Sequence, residues 1–247
     1  MQIKPMTVLI NERVKCSDCP IRHRAVCARC DEDELSELER IKTYRTFKPG
    51  EVVIWRGDDL RYVSSVVYGI ATLTKSLDDG RMQMVGLLLP SDFIGRPGRN
   101  KLDFDVTAAS ELTLCCFERK PFEKLLGQTP HITERLVEMA MDELDAARDW
   151  MVLLGRKTAR EKLATFLHML VQRCVIQNTA APEVVLPLTR EEIASYLGLT
   201  LETVSRQLGT FKRDGIVEFS DRRRFVVRDL AALIDATGDD ADGGVID

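Results

Sequence analysis

The sequence predicts an α+β chain: an N-terminal antiparallel β-roll of cupin-like form, a long helix patterned for dimerisation, and a C-terminal winged helix-turn-helix. Three observations carry that prediction. Between about 44 and 118, short apolar runs alternate with Gly, Pro and Asp turns, as in an antiparallel roll. From 130 to 158, apolar or small residues recur at steps of four and three. From 188 to 228 the pattern reads helix, turn, helix, hairpin.

Composition narrows the class. The 247 residues are 45% hydrophobic and 30% charged, enough for one large domain or two modest ones, and the net charge of -4 excludes a globally basic nucleic-acid coat. No apolar run approaches the roughly 18 residues of a membrane span, so no membrane partner is expected. Met1–Pro5 carries no apolar signal core, so export is not expected. Four of the seven cysteines sit in one knot instead of spreading in pairs, which suits a reducing cytoplasm better than a disulfide scaffold.

That knot is the start of the chain. Residues 1–30 form an arm carrying Cys16-Ser-Asp-Cys19, seven residues, then Cys27-Ala-Arg-Cys30. Thiolates clustered on a short polar segment point to a metal, an iron–sulfur site or a redox pair. All four together would make a zinc knuckle with a short central loop, and His23 reads as a solvated neighbour. The sensor roll spans 31–129, opening with an acidic helix from Glu34 to Ile41. Strands are expected at Val52–Trp55, Tyr62–Val67, Ala71–Thr74, Met84–Leu89, Val106–Ala109 and Leu112–Phe117. Cys115 and Cys116 are adjacent on the last, so only one can face the arm.

Pro130 starts the long helix, 130–158. Its seam is Thr133, Val137, Ala140, Leu144, Ala147, Met151 and Leu154, spaced as the stripe of a coiled-coil homodimer, the alternative being a helix packed on its own domain. The alanines bury little apolar area, so such a dimer is marginal. A second helix has Leu163, Leu167, Leu170 and Cys174 on one face. In the 159–235 domain, Thr189 with Glu192 forms a capping box, Gly198 makes the turn and Thr200 caps the next helix. Ile193, Ala194, Leu197, Val204, Leu208 and Phe211 face inward, leaving Glu202, Ser205, Arg206 and Gln207 outward. A two-stranded wing follows at 215–219 and 224–228. Residues 189–228 hold eight basic and six acidic side chains, a net +2 in a chain of -4, which suits phosphate contact. Arg206 can bond guanine bidentately and Glu202 can accept from cytosine, or the two pair with each other as an i,i+4 bridge. Residues 236–247 read as a disordered acidic tail. No Gly-rich dinucleotide turn and no catalytic constellation stands out, so no enzyme is expected.

The string Leu188 to Leu208, with Glu-Thr-Val-Ser-Arg at 202–206, resembles the cyclic AMP receptor superfamily, and within it the fumarate and nitrate reduction (FNR-type) oxygen sensors. Leu201 and Ser205 stand where the cyclic AMP receptor branch has arginine and glycine. The resemblance covers arm, roll, helix and winged head. It implies a 4Fe–4S cluster on three arm cysteines and one roll cysteine, stabilising a homodimer on palindromic DNA with TTGAT-type half-sites and lost in air. The C-x2-C-x7-C arm of some members matches Cys16, Cys19 and Cys27, leaving Cys30 as a spare or as a substitute for Cys27. Counting back from Pro130 by the family interval favours Cys115. Glu202, Ser205 and Arg206 are then the base readers, and Asp78–Arg81 resembles a loop used against RNA polymerase. Nucleotide-binding rolls carry an Arg-Ser phosphate pair where this chain has Gly95 to Ala108, and Asp103 and Asp105 there would repel a phosphate unless Arg96, Arg99 and Lys101 compensate. Two rivals remain: a zinc-containing or small-effector-gated regulator of the same superfamily, and an iron–sulfur redox protein.

Overall fold

The computed structural model describes residues 15–174 and 183–239, within two compact units, Met1–Leu144 and Asp145–Asp247. The Cys174 side chain, Pro182 and residues 240–247 of the expected tail lie outside the described residues.

In the first unit a 3-10 turn at Cys16–Asp18 leads through a chain of turns to helix α1 (Glu32–Ile41). The helix begins two residues before the expected Glu34 because Asp31 caps it: its carboxylate accepts from the Glu34 N–H at 2.9 Å, and Glu34 accepts from the Asp31 N–H at 3.0 Å. This is a reciprocal capping box. Eight strands follow: β1 (Lys42–Phe47), β2 (Val52–Ile54), β3 (Tyr62–Tyr68), β4 (Ala71–Ser76), β5 (Met82–Leu88), β6 (Phe93–Ile94), β7 (Asp105–Ala108) and β8 (Leu112–Glu118). They form two antiparallel four-stranded sheets, β1-β8-β3-β6 and β2-β7-β4-β5. The turn after β3 requires a glycine. Gly69 has φ +82°, and a Cβ there would lie 2.0 Å from the Glu111 carbonyl oxygen.

Two apolar cores divide at β8. The roll core gathers Leu60, Val66, Leu73, Leu88, Ile94, Leu102, Val106, Leu112, Leu114 and Cys116. The other packs the arm against the outer face of the β1-β8-β3 sheet, with Cys16, Ile21, Val26, Cys30, Leu35, Leu38, Val63, Cys115, Phe117 and Phe122. Phe122 comes from α2 (Arg119–Leu126) and stacks on Phe93 and Phe117, at centroid distances of 5.8 and 5.3 Å.

Helix α3 runs Pro130–Arg156. In the first unit it has two apolar faces. Ile132, Leu136 and Met139 pack on the arm core, whereas Val137, Met141 and Leu144 are exposed. In the second unit its last turns expose Met151, Val152 and Leu154, while Leu153 is buried and Trp150 stacks on Tyr196 at 4.0 Å. Leu154 also lies near the site of Gly198, 3.8 Å from where a Cβ would stand, so that seam residue touches its own unit as well.

The second unit continues with α4 (Ala159–Cys174), β9 (Glu183–Val185), α5 (Arg190–Leu197), α6 (Leu201–Arg213), β10 (Val217–Phe219), β11 (Arg224–Val227) and α7 (Leu230–Asp235). The wing differs from the expected pair of strands: β9 adds on the far side of β11, giving the order β10-β11-β9. Residues 236–239, expected to belong to the tail, are instead packed. Thr237 is buried, and Lys157 Nζ meets Asp239 Oδ1 at 2.5 Å.

Candidate metal centre and nucleic-acid interface

Cys16, Cys19, Cys27 and Cys115 line one small apolar cavity of about 20 Å³, together with Tyr44, Ser65, Leu38 and Phe117. All four cysteines are free thiols. Local structure delivers each one. The 3-10 turn carries Cys16, and its closing N–H bond, Cys19 to the Cys16 carbonyl at 3.4 Å, folds Cys19 back. The turns at 20–29 return Cys27. Cys115 comes from β8, where strand alternation turns it to the arm and its neighbour Cys116 into the roll core. Cys30 is buried in the arm core but does not line the cavity.

The electrostatics are those of buried thiols. Burial pushes up the pKa of Cys16 and Cys19, that of Cys27 to about 11, and that of Cys115 well above its usual range. The neighbouring thiols add to the rise at Cys27 and Cys115. Lys42 opposes it at Cys16, donating from Nζ to Sγ at 3.4 Å. Four thiols that resist ionisation alone are ready ligands for a cation, because metal binding supplies the charge that stabilises the thiolates and releases their protons.

The arm is stitched to the first turns of α3 by polar links that the sequence reading missed. Arg135 donates to the Arg24 carbonyl at 2.8 Å, Arg29 pairs with Glu138 at 2.6 Å, and His131 Nδ1 lies 3.0 Å from both Glu34 carboxylate oxygens. Charge alternation at 131–138 was the only signal available, and it reads equally as a solvated helix face.

In the second unit, Thr189 and Glu192 form their capping box, with bonds of 3.2 and 2.7 Å, and Gly198 takes φ +62° at the turn. Thr200 caps α6 through the Thr203 N–H at 3.2 Å. Ile193, Leu197, Val204, Leu208 and Phe211 are buried, and Arg160 lies 4.7 Å over the Phe211 ring. Glu202 and Arg206 are exposed, with Ser205 half-buried between them. The i,i+4 bridge between Glu202 and Arg206 does not form among the described residues, so neither charge is spent on the other. The basic residues of the head divide into two sets. Arg224 and Arg228 are held by acids of the wing and of β9, at 3.5 and 3.6 Å for Arg224 and 2.7 Å for Arg228. Arg190, Arg206, Lys212, Arg213, Arg222 and Arg223 form no ion pair among the described residues. Arg190, Arg222 and Arg223 line a cleft with Thr189.

The roll segment 95–108 places Leu102 in the core and leaves Asp103 exposed, while Asp105 accepts from the Arg56 N–H at 2.7 Å. The hairpin tip at 78–81 is closed by an Asp79–Arg81 pair at 2.8 Å. No described helix is long and apolar enough to cross a membrane.

Residues 44–129 match the cyclic nucleotide-binding domain family, and residues 161–236 match the Crp-like helix-turn-helix domain family. The chain is 58% identical over 235 residues to the transcriptional activator protein FnrL of Cereibacter sphaeroides, covering 94% of this chain and 95% of that protein. It is 40% identical over 216 residues to the nitrogen fixation regulation protein FixK of Bradyrhizobium diazoefficiens, covering 87% and 91%. Among solved structures it resembles FixK2 from Bradyrhizobium japonicum, with TM-score 0.70 and 34% identity over 79% of this chain and 97% of that one. With a roll, a long helix and a helix-turn-helix head in the same order, and with relatives that share almost its whole length, the chain belongs to the FNR/FixK family of DNA-binding transcriptional activators within the CRP/FNR superfamily.

Proposed function

We propose that this activator is oxygen-responsive and carries a 4Fe–4S cluster on Cys16, Cys19, Cys27 and Cys115. The observation that carries the reading is the convergence of three arm cysteines and one β8 cysteine on a single apolar cavity that excludes Cys30 and Cys116. When bound, the cluster supplies a centre that oxygen degrades.

The chain's own residues connect that centre to DNA. Cys115 ties the arm to β8, and the arm core packs on Ile132, Leu136 and Met139 of α3. The opposite face of α3, with Val137, Ala140, Leu144, Ala147, Met151 and Leu154, is the homodimer seam, and its larger members are exposed in the single chain. A two-fold dimer sets two α6 helices in successive major grooves, roughly 34–36 Å apart, where Glu202, Ser205 and Arg206 read palindromic TTGAT-type half-sites. The 78–81 hairpin tip then faces RNA polymerase. Asp103 and Asp105, in the segment where nucleotide-binding rolls carry an Arg-Ser pair, argue against a cyclic nucleotide effector.

Anaerobic purification tests the reading. We expect about four irons and four acid-labile sulfides per chain, a visible band that bleaches in air, and a dimer mass by sedimentation that falls to monomer as the band is lost. Zinc without sulfide, or a dimer indifferent to air, refutes it.

A further inference from the structure

Three strands bring one row of side chains to the cysteine cavity. Tyr44 on β1 and Ser65 on β3 are the direct cross-strand partners of Cys115 on β8. Directly opposed residues of an antiparallel sheet share a face, with Cβ atoms about 4.5–5.5 Å apart, and all three side chains line the cavity. The next row repeats the pattern on the other face, with Thr43 and Ser64 flanking Cys116. There the hydroxyl is used, since Ser64 hydrogen-bonds the Cys116 side chain. In the cavity row it is not. Ser65 is 2% exposed, and its Oγ is one of the few buried side-chain polar atoms with no hydrogen-bond partner among the described residues.

A buried hydroxyl without a partner destabilises a fold, because it gives up water and gains nothing. The sheet keeps one beside a thiol, in a cavity shared by four thiols. Sulfur that carries negative charge is the acceptor such a donor fits, and hydrogen bonds to cluster sulfurs are among the features that set a cluster's potential.

We propose that Ser65, with Tyr44 on the other flank of Cys115, donates a hydrogen bond to sulfur in this cavity and thereby sets how readily the centre is oxidised. The proposal rests on the cluster assignment above. Both are tuning residues and not ligands. Their donors stabilise the more negative, reduced state of the sulfur-rich centre, so the pair slows its loss in air.

The test compares wild type, Ser65→Ala and Tyr44→Phe, purified anaerobically and then exposed to air-saturated buffer. All three are expected to hold equal iron and sulfide. The two variants should bleach roughly 2- to 10-fold faster, the span one ordinary hydrogen bond supports. A second readout has the opposite sign. Stripped of metal, Ser65→Ala should melt at or above the wild-type temperature, because the substitution removes a polar group that has no partner in the apo fold. A merely structural serine would lower that temperature. Equal bleaching rates at equal loading, or a less stable apo Ser65→Ala, overturns the proposal while leaving the cluster assignment standing. Wild type without iron and sulfide overturns the assignment and the proposal with it.

Discussion

Replacing Arg206 with alanine separates base reading from every other role the side chain could have. Arg206 is exposed on α6, and the Glu202 carboxylate one turn before it does not pair with it. Removing an exposed, unpaired side chain changes stability by no more than about 0.5 kcal/mol. Had the two formed a surface bridge, its loss would cost only about 0.2–0.5 kcal/mol. A bidentate contact to guanine is worth roughly 1–3 kcal/mol, or about 5- to 150-fold in affinity per half-site. A symmetric dimer meets two half-sites, so the free-energy loss on a full palindrome is about twice that. Fluorescence anisotropy at fixed salt, on duplexes with the half-site guanine replaced by each other base, supplies the measurement. Wild type should discriminate by the per-site factor, and Arg206→Ala should bind all four duplexes nearly alike, with an unchanged melting temperature. Preserved guanine preference in the variant, or equal weakening on every duplex, would refute the assignment of Arg206 as a base reader.

Other outcomes follow from the same geometry. Cys115→Ser should abolish iron and sulfide loading, whereas Cys116→Ser, on the opposite face of β8, should retain both and lose only core stability; elemental analysis and a thermal melt distinguish them. Arg222→Ala with Arg223→Ala should weaken binding evenly across DNA sequences and reduce the slope of log affinity against log salt by about one to two, at about 0.9 per phosphate contact. The Glu34 carboxylate, bonded to His131, raises the histidine's pKa above its usual 6.5. Stabilisation from this pair is therefore full below about pH 6.5 and is lost as pH rises through the raised value. Hydrogen-exchange protection factors in residues 16–41, which correct for the intrinsic pH dependence of exchange, should fall across that window, and His131→Gln should abolish that fall.

Much of this was readable from residue order because the signals are local. Thr189-x-x-Glu192, Gly198 and Thr200 each satisfy specific backbone groups, so the helix-turn-helix needs no tertiary information to be placed. Cys115 and Cys116 were separable in principle, since strand alternation sends one to each face, but only packing shows which core each joins. The elements that escaped are short or depend on partners. Phe93–Ile94 and Glu183–Val185 have two and three residues, and neither is a strand until β3 or β11 lies beside it. Helix α2 was hidden by Pro121, which reads as a breaker although it stands in the first turn, where its missing N–H leaves no bond unmade. The ties between arm and helix, Arg135 to Arg24 and Arg29 to Glu138, join residues about a hundred positions apart that no periodicity connects.

The division of the first unit at β8 bears on repair. One strand serves as a party wall: its Cys116 face closes the roll, and its Cys115 face closes the arm. The four cysteines proposed as ligands all belong to the second side. On the proposed cluster assignment, loss of the centre loosens the arm core while Val66, Leu73, Val106 and Leu114 keep the roll closed around their own core. On that assignment the roll keeps Cys115, one thiol of the four, in place as a fixed point for reassembly of the centre.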